Sequence, residues 1–282
     1  MKLVKYEKIK DFMKDNFKLI LEKEWLNCLM VGNCLEGQKI GTDGWLLAKV
    51  TQNEKTELVM LYRKPWKLIM YSPTNNTTDE LYKFVAEEVY KIDNELLGVN
   101  AETEIANKFA KYYCEIAKKQ YKVENYLKIL VLEELLPFQK IEAVKMREAT
   151  ENDRQQLIQY IKNFHKDALD EEKTDEEANE KVDAYLERGY YLLEKEGKIV
   201  SQAVIGRDLI KGKGISGVYT SREERGKGYA YEFVYKLSKK CLDEGAEYCV
   251  LYTDAENPIS NHVYEKIGYV KRAECEELEF YK

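Results

Sequence analysis

The chain has 282 residues, enough for one large domain or two of ordinary size. Hydrophobic residues make up 44% and charged residues 34%, which excludes a disordered or collagenous chain, and no apolar run approaches the roughly 18 residues needed to span a bilayer. The formal charge of −6 falls wholly in the second half: residues 1–144 hold 22 basic and 22 acidic residues, residues 145–282 hold 23 and 29, and neither half carries the basic stripe of a nucleic-acid binder.

Met1 to Lys18 mixes lysines, acids and apolar residues, unlike a secretory signal, so the cytoplasm is the expected location. Further along the first half, Trp45–Val50, Leu58–Tyr62 and Lys67–Tyr71 read as an antiparallel meander. A helix is predicted from about Thr77 to Asp93, a strand at Leu96–Val99, a helix from about Glu102 to Lys119 and a strand at Tyr126–Leu132. Trp25, Trp45 and Trp66 read as core and interface residues. A seam at Leu136-Pro137-Phe138, running on to Val144, divides the chain into residues 1–143 and 144–282.

The second half opens with a short strand from Lys145 and a cap, Thr150 or Asn152, for a helix with Leu157, Ile158, Ile161 and Phe164 at helical spacing. Thr174-Asp175-Glu176-Glu177 has the form of a capping box. Strands Tyr190–Glu194 and Ile199–Ile205 flank the turn Glu196-Gly197-Lys198, and Ile215–Thr220 is a third strand. A helix follows Gly228 and stops at Gly245; Tyr248–Thr253 has the continuous apolar character of a buried strand. Asn257-Pro258 opens a helix that Gly268 closes, before a last strand from about Tyr269 to Phe280. The order predicts an α/β (α+β) fold, a mixed central sheet flanked by helices, and the first half repeats it faintly, so two such domains in tandem are expected.

Chemistry concentrates in two stretches. Val218-Tyr219-Thr220-Ser221-Arg222-Glu223-Glu224-Arg225-Gly226-Lys227-Gly228-Tyr229-Ala230 joins a strand to a helix through Arg225 and two glycines. A helix N-terminus offers unpaired N–H groups and partial positive charge, and glycine lets the backbone approach phosphate oxygens. Alone, the stretch also fits a plain surface turn. About 27 residues on comes Asn257-Pro258-Ile259-Ser260-Asn261-His262-Val263-Tyr264-Glu265-Lys266-Ile267-Gly268-Tyr269. Together they resemble two signature motifs of the GNAT superfamily of N-acyltransferases. Arg225, Gly228 and Ala230 match (Q/R)-x-x-G-x-(G/A); Asn257, Ser260, Tyr264, Gly268 and Tyr269 match N-x-x-(A/S)-x-x-x-Y-x-x-x-G-(F/Y).

The resemblance covers about residues 145–282 and implies acyl transfer from acetyl-CoA to a primary amine of a small molecule or peptide, by direct attack in a ternary complex and without a metal. It places the pantetheine arm along Val218, Tyr219 and Thr220, and the pyrophosphate on Arg225, Gly226, Lys227, Gly228, Tyr229 and Ala230, with Asn257 and Ser260 beside the cofactor. Tyr264 would protonate the leaving thiolate, and a backbone N–H near Val218 would face the oxyanion. The general base stays open among Glu194, Asp208 and Asp254, while His262 is expected on another helix face. The alternative function is a non-catalytic acyl-CoA-binding sensor or scaffold, which has no need of the phenol. Aminoacyl transfer from tRNA is disfavoured by the acidic balance.

Three further expectations follow from the residues. The acidic stretch Asp167, Asp170, Glu171, Glu172, Asp175, Glu176, Glu177 and Glu180 either selects a cationic acceptor or is a solvated helix face. The six cysteines lack a C-x-x-C pair and read as buried thiols, and the two histidines show no metal-ligand spacing. In the first half, Gly98-Val99-Asn100-Ala101-Glu102-Thr103-Glu104-Ile105 is taken as the counterpart of the phosphate turn, without its arginine and paired glycines, which marks residues 1–143 as a degenerate, non-catalytic copy.

Overall fold

The structure is a computed structural model that describes residues 1–138 and 144–282, with the side chains of Leu169 and Asp208 excepted; the expected seam falls partly outside these residues. Two compact units emerge. The first comprises Met1–Ile129, Thr253–Asn257 and Arg272–Lys282; the second comprises Leu130–Tyr252 and Pro258–Lys271.

In the first unit, the segment before Trp45, which carries no predicted element, forms β1 (Lys2–Tyr6), α1 (Ile9–Glu22) and α2 (Cys28–Ile40). The expected meander follows as β2 (Leu46–Gln52), β3 (Lys55–Tyr62) and β4 (Leu68–Tyr71), then α3 (Asp79–Ile92), β5 (Gly98–Glu102), α4 (Thr103–Ala117) and β6 from Gln120. Leu81, Tyr82, Val85, Ala86 and Val89 recur on one face of α3, and Ile105, Phe109 and Tyr113 on one face of α4; burying those stripes on the sheet drives both helices. The sheet runs β1-β2-β3-β4-β5 and is completed by β12 (Val270–Tyr281), whose Cys275–Glu279 pair antiparallel with Gly98–Glu102 of β5. Phe280 of β12 stacks at 5.4 Å on Tyr113, itself stacked at 5.5 Å on Phe109.

This order corrects the proposed counterpart of the phosphate turn. Gly98–Glu102 is a strand, and Gly98 is needed for close packing: a Cβ there would lie 2.0 Å from the carbonyl oxygen of Leu278. The loop between the third meander strand and the next helix is residues 72–78.

The second unit runs β7 (Lys145–Glu148), α5 (Arg154–Leu169), α6 (Asp175–Arg188), β8 (Tyr190–Lys195), β9 (Lys198–Asp208), β10 (Gly212–Thr220), α7 (Tyr229–Asp243), β11 (Tyr248–Asp254) and α8 (Pro258–Ile267), with sheet order β7-β8-β9-β10-β11. Thr150 caps a 3-10 turn, not α5 itself, and forms a capping box with Asp153; the box predicted at Thr174 and Glu177 caps α6. Glu196 and Gly197, both at positive φ, make the two-residue turn between β8 and β9 that matches strand twist. Apolar clusters lie on both faces of the sheet. Leu157, Tyr160, Ile161, Ala178 and Val182 of α5 and α6 pack with Tyr219, while Phe233, Val234, Leu237, Tyr264 and Ile267 of α7 and α8 pack with Ile215.

Candidate functional site

Strand β10 changes faces partway along. Ile215 and Tyr219 are four residues apart, which in a regular strand puts them on one face. They instead join opposite clusters, because the register with β9 shifts between Ser216 and Tyr219. Ser216 pairs with Val204 and Tyr219 with Gln202, so Gly217 and Val218 together oppose Ala203. Gly217 sits at φ +61, the left-handed conformation of a bulge whose first residue is glycine. On its other side β10 pairs in parallel with β11 at Gly212–Gly214, and among the described residues they share no ladder pair beyond Gly214. The backbone of Val218, Tyr219 and Thr220 therefore borders a gap in the ladder that an extended chain can enter.

Beyond Thr220 a 3-10 turn over residues 222–224 leads to Arg225, Gly226, Lys227 and Gly228, and α7 begins at Tyr229. Gly226 at φ +78 and Gly228 at φ +82 require left-handed backbone, and apart from Gly226 itself and its two chain neighbours no heavy atom lies within 4 Å of where a Cβ of Gly226 would stand. An open loop ahead of the first N–H groups of a helix fits a pyrophosphate. Tyr229 is buried and Ala230 half-buried at the start of α7.

The charges of this loop are organised by two carboxylates. Asp167, in the last turn of α5, accepts from the guanidinium groups of both Arg222 and Arg225. Arg222 first, and Arg225 after it, hold its carboxyl down at about 2 against the opposing effect of burial. Arg225 is further fixed by its Nε donating to the Thr220 carbonyl at 3.1 Å and by lying over the Tyr219 ring at 5.3 Å. Glu224 pairs with Lys227 at 2.8 Å and Lys198 at 3.2 Å. Each carboxylate holds two cations, so each group keeps net positive charge for an anion. Asp167 carried no loop role in the sequence: 55 residues separate it from Arg222.

Tyr264 lies on the face of α8 that packs into the cluster containing Tyr229 and Ile215, with Val218 against it. It is 9% exposed, and burial pushes its phenol up to about 12. Tyr269 meets it edge-on at 5.9 Å and is itself tied to Ser238 at 2.9 Å. Asn257, exposed, immediately precedes α8 and groups with the first unit; Ser260 is half-buried in the first turn. His262 is exposed, on a face away from Tyr264.

Among the candidate bases, Glu194 accepts from Arg147 Nε at 2.7 Å, Asp254 accepts from the Glu256 backbone at 2.9 Å, and the side chain of Asp208 lies outside the described residues. Four of the eight residues of the acidic stretch are engaged locally: Glu171 with His165 and Lys173, Glu172 with Lys166, Asp175 with Lys162, and Glu177 in its capping box. In the first unit, the loop at 72–78 has no glycine and no cation. Glu57 fills it, accepting from Thr74 Oγ1 at 2.5 Å and Asn76 Nδ2 at 3.1 Å. A carboxylate already stands there, which opposes a phosphate. Among the described residues, no helix is long and apolar enough to cross a membrane, and no group of three or more His, Cys, Asp or Glu is placed to hold a metal ion.

Comparison with protein-family models matches residues 156–269 to the acetyltransferase (GNAT) family. Among solved structures, a GNAT-family acetyltransferase from Colwellia psychrerythraea is similar over 100% of both chains, with 14% identity and a TM-score of 0.61. A Drosophila protein is similar over 98% of this chain and 97% of its own, with 9% identity and a TM-score of 0.64. A GCN5-related N-acetyltransferase from Sphaerobacter thermophilus covers 86% of this chain and 84% of its own, with 15% identity and a TM-score of 0.58. At such identities the likeness establishes the fold, here over both halves of the chain. Comparison with curated proteins gives no match.

Proposed function

Residues 156–269 of this chain belong to the acetyltransferase (GNAT) family, and on that premise we propose that it transfers an acetyl or short acyl group from acetyl-CoA to a primary amine of a small molecule or peptide. The observation that carries this reading is the convergence of the bulged strand, the open glycine loop and a buried phenol in one unit, with Val218, Tyr229 and Tyr264 on the same apolar cluster. The pantetheine arm lies along Val218–Thr220 as an added strand, and the pyrophosphate meets the amides of Gly226–Ala230. Arg225 and Lys227 add charge, and Ser260 flanks the arm.

The amine nitrogen attacks the thioester carbonyl carbon, and the developing oxyanion meets the N–H of Val218. The C–S bond then breaks, its electron pair leaves on sulfur, and Tyr264 gives that sulfur its proton. A phenol raised to about 12 is fully protonated near neutrality, the state an acid needs. The amine loses its proton to water or a base. The first unit, its loop filled by Glu57, is a non-catalytic copy.

Titrating acetyl-CoA into the protein and then following thiol release with a panel of amines tests this. Tyr264→Phe should keep cofactor affinity while turnover falls about a hundredfold, the lower end of general-acid effects; Gly228→Glu should abolish binding. Tight binding without thiol release from any amine would replace the enzyme with a binding module. No binding by the wild type would overturn both.

A further inference from the structure

The oxyanion donor just described sits on a two-residue bulge, and a bulge peptide has no ladder partner to fix its tilt. Something else must set the direction of the Val218 N–H. Gln202 is paired with Tyr219 one step beyond the bulge and is 1% exposed, an unusual depth for an amide side chain. Its Nε2 donates to the carbonyl of Gly217 at 3.5 Å, and its Oε1 accepts from the hydroxyl of the equally buried Tyr190 at 2.5 Å. The Gly217 oxygen only accepts, so the amide nitrogen must face it; Tyr190 holds the amide in that orientation.

The carbonyl of Gly217 and the N–H of Val218 belong to one trans peptide and point in opposite directions. A carbonyl drawn toward Gln202, on β9, turns the Val218 N–H away from β9, toward the edge where β10 has parted from β11. We infer that Tyr190 and Gln202 are positioning residues that hold the Gly217–Val218 peptide with its N–H aimed at the thioester carbonyl. The inference rests on the acyltransfer reading. It adds to that reading two residues that touch neither substrate nor cofactor and lie outside both sequence motifs.

The test uses acetyl-CoA labelled with carbon-13 at the thioester carbonyl, bound to the full chain and observed by NMR. A hydrogen bond to that oxygen moves the resonance downfield of the free thioester. Gln202→Met keeps the length of the side chain without the donor; Tyr190→Phe keeps Gln202 but frees its orientation. Both should bind acetyl-CoA within about threefold of wild type, because the pyrophosphate loop is untouched. In Gln202→Met the resonance should return toward the free value, with an intermediate shift in Tyr190→Phe. With an accepting amine, kcat should fall about tenfold in Gln202→Met at unchanged KM, less than the hundredfold or more lost when an oxyanion donor is removed outright. A wild-type shift retained in both variants, or a wild-type complex with no downfield shift, overturns the inference while leaving cofactor binding intact. A wild type that binds no acetyl-CoA overturns the acyltransfer reading itself, and the inference with it. Should Gln202→Met fail to fold, Tyr190→Phe alone decides between these outcomes.

Discussion

At the scale of single residues, environment assigns chemistry that residue type leaves open. Tyr264 is one of 22 tyrosines, and the motif singles it out, but its proton affinity comes from burial that only the packed helix provides. Its folded value stands above the ordinary phenol value of 10.0, so the native state keeps its proton longer than the unfolded chain. That contribution to stability is complete below pH 10 and is lost as pH rises from 10 toward 12. The thiol-release profile should accordingly show no alkaline fall from Tyr264 below about pH 11. A fall centred near pH 9 that disappears in Tyr264→Phe would mean that the phenol is not buried as described. Asp167 runs the opposite way. Its folded value of about 2 lies below the ordinary 3.8, so its contribution is complete above about pH 4 and is lost as pH falls from there toward 2.

At the scale of elements, the ends of α5, β10 and α7 act together. Asp167 ties the last turn of α5 to Arg222 and Arg225, and so holds the loop that presents Gly226 and Gly228. Asp167→Asn removes the charge but leaves the shape. Amide hydrogen exchange in residues 222–228 should speed up about tenfold near neutral pH, with β11 unchanged. Exchange identical to wild type would show that these partly exposed ion pairs add nothing, as many do. The sequence made most elements of this unit legible, since helical spacing, caps and glycine stops are local signals. The face change in β10 was not legible. Ile215 and Tyr219 read as one regular strand, and the extra residue at Gly217 shows only when β9 supplies the register. The loop clamp was hidden for a related reason: Asp167 stood in an acidic run whose members gave no sign of which one would turn toward the arginines.

At the scale of the whole molecule, the chain's end belongs with its beginning. Residues Arg272–Lys282 complete the sheet of the first unit, and Leu278 and Phe280 are buried in its core. Burying such side chains contributes about 1.5–3 kcal/mol each, against a total stability of roughly 5–15 kcal/mol. Ending the chain at Lys271 should therefore unfold the first unit, read as loss of the protected amides of β5 and α4. A truncated chain whose β5 amides stay protected would refute that role for the last strand. Two linear segments divided near residue 143 are the natural expectation from the seam at Leu136-Pro137-Phe138, because nothing in Val270–Tyr281 names the strand it will pair with.

The sequence by itself determined the kind of protein this is: alternating strand and helix patterns, a strand-to-helix glycine turn, and a spaced Asn257–Tyr264 helix, all written within short windows of chain. Tertiary structure alone decided that Gly98 is a packing glycine and no part of a phosphate turn, and that Glu57 fills the corresponding loop of the first unit. It alone brought Asp167 to Arg225 and Gln202 to Gly217. The physical reason is the same in each case. Periodicity and turn chemistry are properties of neighbours along the chain, whereas a clash with Leu278, a shared carboxylate or a fixed bulge peptide depends on which distant backbone arrives beside it.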